Sequence, residues 1–257
     1  MTTQTERAHL FAQLHVKGDP IILFNIWDAG SAKALQDIGA KAIATGSWSV
    51  AAAHGFDDGE KIPLRLAIEN AKEICDSVDL PVTIDFEGGY ADSPAALHDT
   101  IAQVIAAGTV GINFEDQLVG GEGLYSIDEQ STRIKAVREA ADNVGVPLFI
   151  NARTDIFLKA SPVDHNDQHL EQALERATAY AEAGGSGFFA PGLRDAGRIE
   201  QLCSRSPLPV NIMILPDTPT PKIMADLGVA RISYGPGPYR QMIVALQAAA
   251  RMALAII

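Results

Sequence analysis

The stretch VTIDFEGGYAD, residues 82–92, begins as an apolar strand and ends in two carboxylates followed by two glycines. Asp85 and Glu87 stand two residues apart, so their side chains point to the same face of an extended chain. Two negative charges at this spacing repel each other unless a cation lies between them. The stretch therefore predicts a buried strand whose carboxyl end supplies acidic ligands to a metal ion.

Apolar, β-rich runs of this kind recur along the chain, and most end in polar residues or glycine. The eight runs cover residues 21–27, 42–47, 81–88, 111–116, 148–154, 187–192, 209–213 and 231–236. Between them, apolar residues recur at helical spacing, and helix start signals precede them. Ser93 with Pro94 is one such signal, and the capping box of Ser126 with Glu129 is another.

Eight strand–helix units predict an α/β fold, a (β/α)8 TIM barrel that forms a single domain over residues 1–257. Parallel strands that are covered on both faces are apolar along most of their length, as these runs are. A doubly wound open sheet is the alternative. Dinucleotide binding is not indicated, because WDAGSA, residues 27–32, is a poor match to the glycine-rich fingerprint.

Composition narrows the classes of partner. The chain has 20 Lys and Arg against 32 Asp and Glu, a formal net charge of -12, which repels nucleic acids and anionic membranes. Cys75 and Cys203 lack the spacing of a zinc site or a disulfide framework, and Cys75 falls on an apolar helical stripe. The polar start lacks a signal peptide, and no apolar run reaches membrane-spanning length. We expect a soluble cytoplasmic protein.

In a barrel of this class the active site lies at the carboxyl ends of the strands. Four acids follow strands two to four, namely Asp58, Asp85, Glu87 and Glu115. A set of oxygen ligands alone suits Mg²⁺ or Mn²⁺, with water in the remaining positions. For Asp58 the structural alternative is a helix cap or an ion pair with a lysine.

Arg153 ends the fifth strand, and its guanidinium is a fork suited to a carboxylate. The alternative is a structural ion pair with Asp155 or Glu115. Ser47, after strand two, either holds an anionic substrate or caps a helix. His54 is the histidine nearest to these residues in the chain, so it is a further candidate.

Five segments of this site region resemble a known superfamily. They are FNIWDAGSAKAL (24–35), ATGSWSVAAAHGFDDGE (44–60), VTIDFEGGYAD (82–92), GINFEDQ (111–117) and INARTD (150–155), with PVNIM (209–213) fitting farther along. In this order the segments resemble the isocitrate lyase/phosphoenolpyruvate mutase superfamily, and most of all its phosphoenolpyruvate mutase-like members. The resemblance implies a barrel, Mg²⁺, and substrates related to 2-oxo or 2-hydroxy acids that react through an enolate. It also implies a dimer of dimers in which the last helix is exchanged between subunits.

The resemblance also implies roles for individual residues. Asp85 is the direct metal ligand, Glu87 and Glu115 act on the metal mainly through water, and Asp58 completes that shell. Arg153 holds substrate oxygens and stabilises the developing enolate, so Arg153 and Asp58 are the catalytic candidates. The substrate-binding set implied by the resemblance is Gly46, Ser47, Trp48, Arg153 and Asn211.

Two segments depart from the lyases of the superfamily. The loop QLVGGEGLYSIDE, residues 117–129, contains no cysteine, lysine or histidine, whereas those lyases carry a cysteine there. Gly192 stands near the position of a lyase glutamate. The sequence therefore predicts that the scaffold and metal site are kept and the bond-specific groups differ, so that neither isocitrate nor methylisocitrate is a substrate.

These observations lead to three alternatives for function. The first is a Mg²⁺-dependent lyase or decarboxylase that cleaves a C–C bond of a small 2-oxo or 2-hydroxy carboxylic acid through an enolate. The second is a phosphonopyruvate-type mutase or hydrolase acting on a P–C bond, and the third is a non-catalytic barrel that binds a keto acid.

The carboxyl-terminal run YRQMIVALQAAARMALAII, residues 239–257, is too apolar for a solvated tail. In a helix, one broad face would carry Met242, Ile243, Leu246, Ala249, Ala250 and Leu254. The run predicts a homo-oligomer, a tetramer by the resemblance. The alternative is that this helix packs on its own barrel.

Overall fold

The structure, a computed structural model, describes residues 2–255, so Met1 and the last two residues of the predicted carboxyl-terminal helix lie outside the described residues. Eight parallel strands form one sheet. They are β1 (Ile21–Leu23), β2 (Ile43–Ala44), β3 (Val82–Asp85), β4 (Gly111–Glu115), β5 (Phe149–Arg153), β6 (Gly187–Phe189), β7 (Val210–Met213) and β8 (Arg231–Ser233). Each of these strands lies within one of the eight predicted runs.

The sheet curves into a nearly closed barrel. Each strand from β2 to β7 pairs with the one that follows it in the chain, and β8 pairs with β1. The seam between β1 and β2 is bridged by Ile26 and Thr45. The Asn25 side chain reinforces it, donating to the Thr45 carbonyl at 2.8 Å and accepting the backbone N–H groups of Tyr234 and Gly235, both at 2.8 Å. The predicted barrel is confirmed, and the open doubly wound sheet is not found.

Helices alternate with the strands as the spacing predicted. They are α1 (Gln4–Gln13), α2 (Ala29–Asp37), α3 (Ser47–Ala53), α4 (Leu64–Ser77), α5 (Pro94–Ala106), α6 (Ile127–Val144), α7 (Ile156–Lys159), α8 (Asp167–Glu182), α9 (Ala196–Arg205), α10 (Pro221–Asp226) and α11 (Gly237–Leu254), with a short 3₁₀ turn at Pro162–Asp164. Ser93 caps α5 ahead of its proline, and the Ser126–Glu129 capping box starts α6. Each of these caps satisfies backbone N–H groups that the first helical turn leaves unpaired.

The hydrophobic core lies between the barrel and its helices, and both cysteines are buried in it. Cys75 on α4 and Cys203 on α9 are buried free thiols, and burial raises the pKa of each to about 12. At neutral pH these thiols stay protonated and act as small apolar side chains. None of the helices described between residues 2 and 255 combines the length and apolarity needed to cross a membrane.

Helix α11 does not pack along its own barrel. Pro238 is the buried residue of this helix, whereas Val244, Leu246 and Met252 are 65%, 60% and 67% exposed. An apolar groove is correspondingly open beside β1, where Ile22 is 46% exposed. The alternative of a helix laid on its own barrel is therefore not what the structure shows.

Candidate active site

The carboxyl ends of the strands surround a cavity of about 240 Å³. Six residues predicted from the sequence line it, namely Gly46, Ser47, Trp48, Asp58, Asp85 and Arg153. Asn113, Ser233 and Arg240 add polar groups to the wall that the sequence reasoning did not select. Strand register explains the convergence, because Asp85 lies beside Asn113 and Glu115 beside Arg153 at the same end of the sheet.

Asp85 ends β3 and faces the cavity with one carboxylate oxygen held in place. Its Oδ2 accepts the Ser47 hydroxyl at 3.0 Å and the Ser47 backbone N–H at 3.4 Å, and lies 3.7 Å from Nη1 of Arg153. Its Oδ1 is buried and has no hydrogen-bond partner within residues 2–255. A buried carboxylate oxygen without a partner is costly, so the site is built to receive a donor or a cation there.

Ser47 does not serve as the helix cap that was its structural alternative. Gly46 is the N-cap of α3, and the Ser47 hydroxyl turns to Asp85 instead. His54 lies at the other end of α3, exposed, with Nδ1 2.9 Å from the carbonyl of Val50. His54 is not among the residues that line the cavity.

Glu87 follows the strand in a left-handed conformation, with φ of 49°. This is an uncommon conformation for a side chain other than glycine, asparagine or aspartate, and it marks local strain that the surrounding loop must hold. The Glu87 carboxylate is buried and accepts the backbone N–H of Glu60 at 2.8 Å. Burial and the negative charges of Asp58 and Asp85 raise the pKa of Glu87 to about 8.

The glycines that follow Glu87 allow the loop to pack closely. A Cβ on Gly89 would lie 2.6 Å from Leu97, and the φ of Gly89 is +89°. A Cβ on Gly88 would lie 2.9 Å from Val119. The two glycines therefore let the backbone turn over the end of β3, because a side chain at either position would collide with a neighbour.

Arg153 lines the cavity, as expected of a residue that binds substrate. It also forms the ion pairs with Asp155 and Glu115 that were the alternative to this role. Its Nε and Nη2 donate to the two oxygens of Asp155 at 2.6 and 2.9 Å, and its Nη1 lies 2.9 Å from Glu115. Burial alone would lower the pKa of Arg153, but Glu115 and Asp155 hold it well above the usual range. Burial raises the pKa of Glu115 even though Arg153 opposes the shift.

A buried network behind Arg153 was missed from the sequence. The Asp155 backbone N–H donates to Oδ1 of Asp116 at 3.0 Å. Oδ2 of Asp116 accepts the Tyr180 hydroxyl at 2.9 Å and Nη1 of Arg176 at 3.0 Å, which ties the end of β5 to α8. Side chains alternate between the two faces of a strand, so Glu115 and its neighbour Asp116 must point to opposite faces of the sheet. This alternation could have indicated that Asp116 faces the helices and not the cavity.

Asp58 lies on the loop between α3 and α4, at the open edge of the cavity. Desolvation and the charge of Asp85 raise its pKa, while Arg153 opposes the shift. The N-caps of α3 and α4 are Gly46 and Pro63, so Asp58 caps neither helix. Across the described part of the chain, Asp58 also forms no ion pair with a lysine.

Asn211 does not line the cavity but lies beneath it, inside the barrel. Its Nδ2 donates to the Ser233 hydroxyl at 3.2 Å, and Ser233 does line the cavity. Asn113 lines the cavity and also reaches down to this interior layer, where its Oδ1 accepts Nη2 of the buried Arg231 at 3.1 Å. The position of Asn113, two residues before Glu115 on the same strand face, was a usable sequence signal.

Comparison with known proteins matches residues 11–254 to the family described as phosphoenolpyruvate phosphomutase. The chain belongs to this family. The match confirms the resemblance to the isocitrate lyase/phosphoenolpyruvate mutase superfamily. The chain is a lyase-type enzyme of that superfamily, so the alternative of a non-catalytic barrel is set aside.

Two curated relatives show the range of the family. The chain is 26% identical to the 2-methylisocitrate lyase of Bacillus subtilis over 232 residues, covering 88% of this chain and 73% of the relative. It is 26% identical to the oxaloacetate decarboxylase of Pseudomonas entomophila over 238 residues, covering 89% and 78%.

Two solved structures share the fold. A protein from Burkholderia cenocepacia J2315, provisionally described as a phosphonomutase, is 48% identical with a TM-score of 0.95, over 97% of this chain and 99% of that one. A phosphonopyruvate hydrolase solved with oxalate and Mg²⁺ has a TM-score of 0.82 at 21% identity, over 99% of this chain and 88% of that one.

The donor set at the cavity fits a hydrated Mg²⁺. No three His, Cys, Asp or Glu side chains between residues 2 and 255 are close enough to hold one ion by themselves. Asp85, with its unpartnered Oδ1, can supply one direct ligand, and Asp58 lines the same cavity. The predicted metal residues Glu87 and Glu115 are buried and are not among the residues that line it. Mg²⁺ suits such a site because it keeps several of its water ligands in proteins.

Proposed function

We propose that this protein is a Mg²⁺-dependent lyase or decarboxylase that cleaves a C–C bond of a small 2-oxo or 2-hydroxy dicarboxylic acid. The observation that carries the proposal is the pairing, in one cavity, of Arg153 with Asp85 and its unpartnered oxygen. Family membership supports it, as do relatives that act on oxaloacetate and on methylisocitrate.

Individual residues of the chain can be assigned roles in such a reaction. When the C–C bond of a 2-oxo acid breaks, its electron pair moves toward the 2-oxo oxygen and gives an enolate. A 2-hydroxy acid instead loses its hydroxyl proton to a base, its C–OH group becomes a carbonyl, and the electron pair of the broken bond forms an enolate on the departing fragment. Arg153 presents positive charge to that oxygen, and its hold on Asp155 and Glu115 keeps the guanidinium in one orientation. The backbone N–H of Trp48, in the first turn of α3, is suited to the substrate carboxylate, whereas the Ser47 N–H already contacts Asp85.

Mg²⁺ would be held by Asp85 directly and by Glu87, Glu115 and Asp58 through water. Its positive charge would stabilise the developing oxyanion. The oxalate and Mg²⁺ bound by a phosphonopyruvate hydrolase of the same fold support this cofactor.

The test is a screen of 2-oxo, 2-hydroxy and phosphono acids with Mg²⁺ and with Mn²⁺, read by product analysis. In parallel, exchange of the methyl protons of pyruvate with deuterium is followed by NMR. Exchange that depends on Mg²⁺ is expected, because an enzyme that stabilises the pyruvate enolate must catalyse it. The proposal would be contradicted if the protein turned over none of the dicarboxylates and also failed to exchange the methyl protons of pyruvate.

The same screen tests the expectation that isocitrate and methylisocitrate are not substrates. Gly192, with φ of +92°, has no space for a carboxylate side chain, because even a Cβ would lie 2.7 Å from the backbone of Phe157. The 117–129 loop has no cysteine to transfer a proton. Turnover of either tricarboxylate at an ordinary enzymatic rate, roughly 1–10³ per second, would refute this expectation.

A second candidate reaction is cleavage or rearrangement of a P–C bond in a phosphonopyruvate-like acid. The family description and the 48% identity to the Burkholderia protein favour it. The same enolate and the same positively charged groups would serve P–C cleavage, so the site geometry fits both reactions. Release of phosphate or formation of phosphoenolpyruvate in the screen separates the two candidates.

We also propose that the protein is a homo-oligomer in which α11 is exchanged between subunits, as in a dimer of dimers. The exposed face of α11 and the open groove beside β1 are both apolar. A helix from a second copy would remove both apolar surfaces from water.

A further inference from the structure

Arg240 lies in the first turns of α11, and it lines the cavity from the side of its opening. Its guanidinium carbon stands 4.6 Å from the centre of the Trp48 ring. Among residues 2–255 it has no hydrogen-bond or ion-pair partner, so its N–H groups are available to a ligand. Stacking on an aromatic ring orients a guanidinium while leaving its edge free to donate.

The start of α11 is anchored at the cavity by aromatic contacts. The Tyr239 ring meets Trp27 edge-on at 5.0 Å between centroids, and Trp48 at 5.9 Å. Pro238, next to Tyr239, is buried. Arg240 therefore has a defined position at the cavity, although the rest of its helix extends into solvent.

Two cationic side chains line the cavity, Arg153 and Arg240. Arg153 is largely committed, because three of its nitrogens already contact Asp155 and Glu115. Asp58 and Asp85 are anionic and repel a substrate carboxylate. A substrate with two anionic groups can place one at the start of α3, where a bound metal ion would offset these acids, and Arg240 is the cation available for the other.

Among the described residues, the rest of the lining carries no further cation, and its neutral polar side chains are Asn25, Asn113, Ser47 and Ser233. Leu158, Phe189, Pro191 and Met213 form an apolar portion of the lining. A carboxylate held against such a surface would lose hydration without gaining a partner, which is unfavourable. The charge of a bound dianion should therefore be drawn toward Arg240.

We propose that Arg240 binds the second anionic group of the substrate, a carboxylate or a phosphonate, and so selects dianionic acids over monocarboxylic ones. This inference rests on the proposed function for the binding of the first carboxylate. Trp48 then acts as the platform that holds the Arg240 guanidinium in place, which gives a reason for a bulky side chain at that position.

The experiment measures equilibrium binding by calorimetry in the presence of Mg²⁺. Malate and 2-hydroxybutyrate are a matched pair of probes, since a terminal carboxylate in one is a methyl group in the other, and 3-phosphonolactate supplies the phosphonate arm. Wild-type protein is expected to prefer the dianions. Arg240→Gln should weaken binding of malate by about tenfold or more, the usual scale for a charged hydrogen bond, and binding of 2-hydroxybutyrate by less than about twofold.

Arg251→Gln removes the same charge from an exposed position on the same helix and should match the wild type. Arg240→Lys keeps the charge and should retain part of the preference, so it also tests the inference if the glutamine variant folds poorly. Which dianion loses more on Arg240→Gln distinguishes a carboxylate from a phosphonate substrate.

An equal loss for malate and 2-hydroxybutyrate would show that Arg240 only shapes the cavity, and would overturn the inference. So would an unchanged affinity in the variant, or a wild-type protein without a preference for any dianion. Because binding is read without turnover, a selective loss in a protein that cleaves none of the screened acids would support Arg240 and refute the proposed reaction separately.

Discussion

At the scale of single residues, Asp85 has one oxygen that is held by Ser47 and another that is buried without a partner in the described chain. Its charge also acts on neighbours, since it contributes to the raised pKa of Asp58 and of Glu87. This arrangement favours metal binding over stability of the metal-free protein, a compromise that functional sites often show.

Replacing Asp85 by asparagine tests this interpretation. Asp85→Asn is nearly isosteric but removes the charge, so Mg²⁺ affinity should fall by more than about tenfold in calorimetric titration. The metal-free variant should unfold at the same temperature as the wild type or a higher one, because fewer negative charges repel one another at the cavity.

Asp57→Asn is the matched control, because Asp57 is exposed on the same loop as Asp58 and loses the same charge. It should bind Mg²⁺ like the wild type. Equal affinity of wild type and Asp85→Asn would show that Asp85 is not the direct ligand.

At the scale of elements, the residues after α1 seal the amino-terminal end of the barrel. His15 stacks on the Phe149 ring at 4.0 Å between centroids, and its Nδ1 lies 2.8 Å from the carbonyl of Phe11. Its Nε2 is buried and lacks a hydrogen-bond partner in the described chain. Desolvation and the positive charge of Arg231 lower the pKa of His15 from 6.5 to about 3.

This shift predicts a specific dependence of stability on pH. The folded state holds His15 neutral, whereas the unfolded chain takes up a proton near pH 6.5. The contribution of His15 is therefore fully present above pH 6.5 and is lost as the pH falls toward 3. Between pH 7 and pH 5, wild-type protein should lose up to about 2 kcal/mol more unfolding free energy than His15→Phe.

Urea unfolding at the two pH values measures this difference. His9→Phe is the control, since His9 is exposed on α1, which precedes His15, and should leave the pH dependence of the wild type unchanged. If wild type and His15→Phe lose equal stability over this range, the neutral His15 ring with its buried Nε2 is not what makes the protein acid-sensitive.

At the scale of the whole molecule, α11 leaves an apolar surface that its own barrel does not cover. Leu246 and Leu254 on the face predicted from the sequence are 60% and 70% exposed. Ile38, beside the open groove at β1, is 80% exposed. Such surfaces at two sites of one subunit favour exchange of the helix between copies.

A charge on this face should prevent assembly. Leu246→Glu would bury an unpaired carboxylate in the interface, which costs several kcal/mol, so light scattering should find a smaller species than the wild type at micromolar concentration. Gln241→Glu adds the same charge at an exposed position that is already polar, and it should leave the assembly intact. A wild-type protein that is a stable monomer would refute the oligomer.

The pattern of apolar runs along the chain was enough to predict the barrel and the end of it that carries the site. Alternating apolar strands and helices have few compact arrangements, and parallel strands bring their carboxyl ends to one mouth. That rule placed Asp85, Glu115 and Arg153 together without any knowledge of their contacts. It also identified the apolar face of α11, because helical periodicity is a local property of the chain.

The tertiary structure alone decided which partners these side chains choose. Arg153 is held by Asp155 and Glu115, while Asp116 turns away to α8, and Arg240 reaches the cavity from the last helix. Except for Arg153 with Asp155, which are two residues apart and were paired as an alternative from the sequence, these contacts join residues that are distant in sequence. The distant contacts depend on strand register, barrel curvature and loop conformation. Local periodicity carries no information about those three, because they emerge only when the whole chain packs.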